Sequence, residues 1–402
     1  MKRNNIASLA AAGTLIVLAC VIPQRAEAQN LARRLSGVKD GKVRMSFASR
    51  DDICGYENGI TTNAREQRQS MKSSRSNWNS DRSEDVVYDS ECSEGPVRVV
   101  VEYQGGRLMK IRTYVGGKWR PAGSGVTDVG TVSTRDAVDY LIGIARTQSG
   151  KAAGEAIFPV TIADSVEVTQ PIYSIAKDES RPNEVRDQAI FWLSQVEDER
   201  AVGMLNDILK SSHDSRIQDK AIFGLSQHRS GKGFPILRDF AERGDASDEV
   251  RGKAIFWLGQ GRAGGGDYLR SLYTRVQSNE LKDKIIFSMS QQKDASSQKW
   301  LVDLVSNESE SIENRKKALF WAGQTDTSME QLTNLYSRMD EREMKDQMIF
   351  VFSQRHEKVA IDKLMDIAKN DKDRDARKKA MFWLGQSRDT RVSAFLADMI
   401  NR

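Results

Sequence analysis

Apolar and polar residues over about the last two thirds of the chain alternate with a helical period inside units that themselves recur. The stretch Val185 to Gln195 (VRDQAIFWLSQ) returns at Ile217 to Gln227, Val250 to Gln260, Leu281 to Gln291, Asn314 to Gln324, Met344 to Gln354 and Ala376 to Gln386. Successive copies start 32, 33, 31, 33, 30 and 32 residues apart, and each ends on Gln. A period of this length predicts stacked helical hairpins, in which each unit buries its apolar side only against its neighbours.

Between the Gln-ended helices runs a second, looser apolar pattern, such as Val202, Leu205, Ile208 and Leu209, or Ile361, Leu364 and Ile367. Its helical spacing predicts the outer helix of each hairpin. Ser133, with Asp136 three residues on, reads as the N-cap of the first helix. Ala156-Ile157-Phe158 lies 33 residues before Ala189-Ile190-Phe191 and marks a degenerate eighth unit, with Pro159 where the next copy has Trp192. Val392, Phe395, Leu396 and Met399 predict a closing helix that caps the stack.

At about 100° per residue, Val185, Ala189, Trp192 and Leu193 share one face, the stripe expected to meet the outer helix. The Trp position runs Trp192, Gly224, Trp257, Ser288, Trp321, Val351, Trp383, so large and small side chains are expected to interdigitate in the packing and the true unit is two repeats long. Phe191 stands about 145° from that stripe. It has equivalents at Phe223, Phe256, Phe287, Phe320, Phe350 and Phe382, and Gln195, Gln227, Gln260, Gln291, Gln324, Gln354 and Gln386 lie close to the same side. Two uses of these rows are open. They form a partner-binding surface, or Phe packs between adjacent helices while Gln bonds to loop backbone. Wholly exposed Phe in every copy would invite aggregation, so partial burial is expected either way. Lys253, Lys284, Lys317 and Lys379 stand four residues after Glu249, Glu280, Glu313 and Asp375, and are expected to pair with them along each helix.

The N-terminal part follows a different period. Val43 to Ala48 alternates as a strand does, and Val97 to Tyr103 and Leu108 to Val115 flank Gln104-Gly105-Gly106-Arg107 as a hairpin. Residues 63–83 are rich in Ser, Arg and Asn and predict a mobile loop. The expected division is therefore a small β-rich domain over 29–130 and the helical array over 131–402.

Residues 1–28 read as a signal peptide: Lys2 and Arg3, an apolar run from Ile6 to Ile22, then Ala26-Glu27-Ala28. Val17-Leu18-Ala19-Cys20 offers the other processing, a lipid anchor at Cys20. Either route places the protein outside the cytoplasm, in the periplasm, secreted, or anchored to the envelope. Cys54 and Cys92 are then an even pair in an oxidising compartment, which predicts a disulfide between them rather than two free thiols. No later segment is apolar for long enough to span a membrane.

Charge and chemistry narrow the function classes. A net charge of +5 over 402 residues gives no electrostatic case for nucleic acid. His213, His228 and His356 fall in different repeat loops, with no nucleophile or carboxylate matched to them, and read as surface residues. No cofactor or metal motif is present.

The pattern Val-Arg, then Ala, then Leu-Gly or Leu-Ser in one helix, with Asp198-x-x-Ala201-Val202-x-x-Leu205 in the next, resembles HEAT repeats, in particular the short phycobilisome-lyase-type HEAT-like class. It departs from them in the Gln that ends each copy and in the Phe-Trp pair. The resemblance implies a mainly α, right-handed α-solenoid of about eight hairpins behind a small disulfide-linked β domain, as in exported bacterial proteins of that build. It also implies an inter-repeat Asp-Arg ladder through Arg186, Arg251, Arg315 and Arg377, and a concave surface lined by the Gln-ended helices. Lyase-type relatives act on bilins, yet no Cys or His falls on the repeat helices here. The expected function is a non-enzymatic, monomeric scaffold that binds a protein or peptide along the concave face. The alternative is a lyase or hydrolase with its site between the N-terminal domain and the first repeats.

Overall fold

The structure is a computed structural model that describes residues 31–57, 59–61, 84–89, 92–261, 265–292 and 294–400. The expected signal peptide, Cys20 and the whole of the expected mobile loop, 63–83, lie outside these residues. The chain is mainly α and forms two compact units, Met1–Trp192 and Leu193–Arg402.

In the first unit, strands β1 (Gly41–Phe47), β5 (Val97–Gln104), β6 (Arg107–Val115) and β8 (Val126–Thr131) form one sheet in the order β6-β5-β1-β8. The expected hairpin is β5–β6, and its turn at Gly105 and Gly106 has φ of 57° and 74°. Both are left-handed, which is why two glycines stand there. β1 pairs antiparallel with β5 and parallel with β8. Val43, Met45, Phe47, Val97, Val99 and Val101 alternate along β1 and β5 and are fully buried. Short strands β2 (Cys54–Tyr56) and β3 (Gly59–Thr61) pair with each other, as do β4 (Val86–Val87) and β7 (Lys118–Trp119). Cys54 and Cys92 form the expected disulfide, with Cα atoms 5.2 Å apart.

Helix α1 (Thr134–Thr147) begins at Ser133, whose side chain caps the Asp136 N–H. α2 (Lys151–Glu155) and α3 (Ile157–Thr161) are one helix broken at Ala156. Pro159 has no N–H to offer the carbonyl four residues back, so the degenerate unit snaps at that point. These helices share the core of the sheet: the Tyr103 and Tyr140 hydroxyls are 2.9 Å apart, and the Ile111 N–H donates to Glu155. α4 (Thr169–Lys177) and α5 (Asn183–Gln195) make the first hairpin of the regular series, and the division between units falls within α5.

The second unit is a stack of hairpins. The Gln-ended helices are α7 (Ser215–Gln227), α9 (Asp248–Gln260), α11 (Asn279–Ser290), α13 (Ile312–Gln324), α15 (Arg342–Gln354) and α17 (Arg374–Gly385). Each follows its partner helix: α6 (Arg200–Ser211), α8 (Gly233–Ala241), α10 (Gly265–Arg275), α12 (Ala295–Val305), α14 (Met329–Tyr336) and α16 (Lys358–Asn370). α18 (Thr390–Ile400) follows the last hairpin, with Val392 buried and Phe395, Leu396 and Met399 half-buried.

Asp214, Ser247, Ser278, Ser311 and Asp373 cap the N-termini of α7, α9, α11, α13 and α17 with their side chains. In four repeats the residue at the second position closes the C-terminus of the partner helix. Arg186 Nε donates to Ala176 O at 3.1 Å, Gln218 Nε2 to Leu209 O at 3.3 Å, Arg251 Nε to Ala241 O at 3.0 Å, and Arg315 Nε to Val305 O at 2.9 Å. Of the arginines expected to form an inter-repeat ladder, Arg186, Arg251 and Arg315 make these caps, Arg251 also pairs with Asp248 of its own helix, and Arg315 also pairs across repeats with Glu341. Terminal carbonyls lack helical partners, and these side-chain N–H groups supply them.

Candidate functional site

Helical phase sorts the repeat into two arcs. Val185, Ala189 and Leu193 with all their equivalents are buried, as are Ile190 and Ser194 with most of theirs; Ser226, Ser353 and Met381 are half-buried and Gly385 is exposed. The buried arc is wider than the stripe expected from sequence, because each Gln-ended helix in the stack touches its partner helix and the Gln-ended helices on either side. The opposite arc holds the third, fourth, seventh and eleventh positions, which are Asp or Lys (Gly252 in one copy), Lys or Gln, Phe, and Gln, together with the tryptophans of the eighth, whereas the small residues of the eighth, Gly224, Ser288 and Val351, are buried.

All seven Gln side chains are exposed. Phe223, Phe256, Phe287, Phe320 and Phe350 are half-buried, while Phe191 and Phe382 are 37% and 59% exposed. The four repeat tryptophans are half-buried on this same face and not in the core stripe. This corrects the expected packing role: Trp192, Trp257, Trp321 and Trp383 stand at the edge of the stripe and lie over the phenylalanines.

The result in the second unit is an unbroken file of rings. Phe223 meets Trp257 edge to face at 5.1 Å, and Trp257 meets its own neighbour Phe256 at 5.1 Å. Phe256 stacks on Phe287 at 6.2 Å with only 9° between the planes. The order repeats through Phe287–Trp321, Trp321–Phe320 and the Phe320–Phe350 stack, then Phe350–Trp383 and Trp383–Phe382. In the first unit, Phe158 stacks on Trp192 at 4.7 Å.

Two kinds of junction alternate along this file. α9 with α11 and α13 with α15 pack closely, whereas α7 with α9, α11 with α13, and α15 with α17 pack more openly. At the close junctions Gly259 faces Ser288 and Gly323 faces Val351, and the rings stack face to face. At the open junctions a Trp bridges to the preceding Phe. Two of these carry an ion pair between repeats: Lys317–Asp283 at 3.2 Å and Lys379–Asp346 at 2.9 Å. These lysines therefore pair across repeats, and not four residues back along their own helices. The third position of one helix faces the fourth of the next, which sequence spacing along a single helix does not reveal.

The Gln amides are oriented by their neighbours. Gln195, Gln227, Gln291 and Gln354 each donate through Nε2 to the preceding Ser hydroxyl, at 3.0 to 3.2 Å. Ser226, Ser290 and Ser353 in turn donate to the carbonyls of Phe223, Phe287 and Phe350. The alternative expectation of Gln bonds to loop backbone is not what these four make. Gln260, Gln324 and Gln386 follow glycines and have no such hydroxyl beside them.

At the α15–α17 junction the face opens into a slot of about 330 Å³, floored by Phe350 and Trp383 and bordered by Lys316, Glu343, Asp346, Gln347 and Lys379. Trp383 Nε1 is buried and has no hydrogen-bond acceptor among the described residues. Hydrogen bonds from Lys316 to Glu313 and then Glu343 hold its ammonium above the usual lysine range.

A second concavity, of about 610 Å³, lies on the β sheet and includes Lys42, Arg44, Asp85, Glu102 and Arg120. Its charges are matched. Asp85 binds Lys42 and Arg112 and accepts from the Tyr114 hydroxyl. Burial opposes ionisation of Asp85, but Arg112, Tyr114 and Lys42 together lower its pKa. Of the histidines, His213 and His356 are exposed, as expected, but His228 is buried at the C-cap of α7 with Nδ1 2.9 Å from Ser230 Oγ. No helix among the described residues is long and apolar enough to cross a membrane.

Fold and face together define a helical-hairpin repeat protein with a small β unit. No family model matches the chain, and none of the curated proteins does. Solved structures similar to it include human deoxyhypusine hydroxylase, at 16% identity over 57% of this chain and 88% of that one, with a TM-score of 0.28. They also include the complex of CpcE and CpcF of phycocyanin lyase from Nostoc, at 13% identity over 66% and 97%, with a TM-score of 0.29. A third is an engineered protein at 16% identity over 65% and 90%, with a TM-score of 0.19. Similarity of this degree assigns no activity to the chain.

Proposed function

We propose that this protein is a non-enzymatic scaffold of the HEAT-like, right-handed solenoid type, exported to the bacterial envelope, where it holds a protein or peptide segment along the concave face. The Phe and Gln rows are its contact residues, now joined by Trp257, Trp321 and Trp383. One observation carries the reading: in every copy an exposed amide stands beside a ring, and the rings of the second unit form one continuous file. Apolar rings flanked by polar groups that remain available in the folded chain are what an extended protein interface requires. A repeat that served packing alone would have no use for an exposed Gln in every copy.

The test is a crosslinked pull-down from envelope extracts with the full chain and with a Gln291→Ala, Gln324→Ala, Gln354→Ala triple variant. These side chains are exposed, so the helical circular dichroism melt is expected to stay unchanged while capture falls. Undiminished capture by the triple variant sinks the site, and turnover of a substrate by the purified protein sinks the non-enzymatic reading.

A further inference from the structure

We propose that the end of the β sheet that carries the β5–β6 turn docks on an anionic phospholipid surface. This goes beyond the scaffold reading and does not depend on it.

The turns bring cations together at this end. The Gly106 N–H donates to Lys39 O at 2.7 Å and the Gly105 N–H to Asp40 Oδ1 at 2.6 Å, so the β5–β6 turn is tied to the segment that leads into β1. Lys39 thereby stands at the end of the sheet where β6 begins with Arg107 and runs on to Lys110. Just upstream, Leu31 and Leu35 are buried on one side of the helical turn over 31–35, which leaves Arg33 and Arg34 exposed on the other. All of these cations are exposed, and none of them forms an ion pair among the described residues.

The acids at the same end are engaged. Asp40 accepts from the turn, Asp85 pairs with Lys42 and Arg112, and Arg112 also reaches Glu84 and Glu102. The exposed acids Asp51, Asp52, Glu57 and Glu94 stand at the opposite end, past β1 and β2 and before β5. The sheet is therefore polarised along its strands, which a net charge of +5 for the whole chain conceals. A unit polarised in this way meets a negatively charged surface end-on.

One apolar group selects a bilayer over a purely charged partner. Met109, between Arg107 and Lys110, is 50% exposed. Lipid headgroups take up the charges, and the boundary with the acyl chains takes up such a side chain. Processing at Cys20, the second route that the sequence offers, would add a single acyl chain. One chain holds only marginally and needs a basic patch beside it for stable anchoring.

The experiment sediments the chain, purified after export, with vesicles of phosphatidylcholine alone and of phosphatidylcholine with about 30% phosphatidylglycerol, at low and high salt. Binding to the anionic vesicles alone is expected, and high salt should release the chain. An Arg34→Gln, Lys39→Gln, Arg107→Gln variant should bind about a hundredfold more weakly, at about fivefold per cation. A Lys220→Gln, Lys253→Gln, Lys284→Gln variant, which removes the same charge from the second unit, should bind as the parent does. Equal binding to both vesicles, binding to neither, or equal loss in the two variants overturns the proposal. So does polyglutamate that binds as tightly as the anionic vesicles, since that marks the patch as a site for acidic protein. None of these outcomes bears on the scaffold reading, which the pull-down with the Gln variant decides.

Discussion

Gly259 and Ser288 meet so closely that a β-carbon on Gly259 would stand 2.7 Å from Cβ of Ser288. Gly259 follows Trp257 in one repeat helix, and Ser288 occupies the Trp position of the next. At the two close junctions the alternation of Trp with small residues is therefore coupled to the glycine two positions later: Ser288 and Val351 each face a glycine of the copy before, whereas Gly224 faces Ser194. Gly323 and Val351 repeat the relationship.

Gly259→Ala should destabilise the protein by about 1 to 3 kcal/mol, the cost of overpacking a closed interface. Gly385→Ala is the control. Nothing lies within 4 Å of its would-be β-carbon, so it should be neutral or slightly stabilising. Urea melts of the two variants should separate them, and equal midpoints would contradict the close-junction account. Ser288→Gly in the Gly259→Ala background should recover part of the loss.

Arg315 is 7% exposed, donates to Val305 O at the end of α12 and pairs with Glu341 at 2.6 Å. Arg315→Met should cost about 1.5 to 3 kcal/mol, the range for hydrogen bonds made by a charged group. Lys at this site has a single ammonium and cannot make both contacts in the planar fork geometry, so Arg315→Lys should recover little. Hydrogen exchange at the α12 C-terminus should rise in both variants.

Reducing Cys54–Cys92, which are 38 residues apart, should remove about 2 to 4 kcal/mol from the sheet-bearing unit by freeing the loop between them. Amides of β1, β5 and β6 should lose exchange protection in reductant. Loss of protection in α9 to α17 instead would contradict a local role.

Glu310 gives the stack an acid-sensitive point. Burial by itself opposes ionisation, but Asn314, the Ser311 N–H and Lys282 donate to the carboxylate and bring its pKa down to about 2. The folded pKa lies below the usual 4.5, so this carboxylate adds stability above about pH 4.5 that is lost as pH falls toward 2. Glu310→Gln should lower the melting temperature at pH 7 and flatten its decline between about pH 4.5 and 2. A parallel decline in variant and parent would contradict this.

The hairpins, the β5–β6 turn, the Ser133 cap and the disulfide could be read from sequence because each has a local cause: a period, two glycines, a capping hydroxyl, an even cysteine pair. The Phe and Gln rows could be read for the same reason. What escaped depends on the neighbour a helix acquires in the stack. Ile190 and Ser194 are buried because Gln-ended helices pack on both sides of one another, a condition that no single helical wheel contains. Trp257 and Trp321 lie on the exposed face because at the edge of the stripe a large ring leans over the adjacent Phe, and only a small residue fits inward. The Asp283–Lys317 pair could have been sought: Asp at the third position accompanies each small residue at the eighth in the copies beginning Ile217, Leu281 and Met344.

The two-repeat unit can be tested by exchanging its halves. Val351 is fully buried against Gly323 at a close junction, whereas Trp321 is half-buried and bridges Phe287 and Phe320 at an open one. If the two sites were equivalent, either residue would be tolerated at either place. Val351→Trp should cost about 3 kcal/mol or more, because the extra volume has nowhere to go without parting α13 from α15. Trp321→Val removes two edge-to-face contacts worth about 0.5 to 1.5 kcal/mol each and should leave a folded, less stable chain. The double exchange should not rescue the fold, since each site is set by the tenth position of the preceding helix: Ser290 before Trp321, Gly323 before Val351. Chemical denaturation of the three variants decides it, and a rescued double variant would show that total volume, not junction type, governs the alternation.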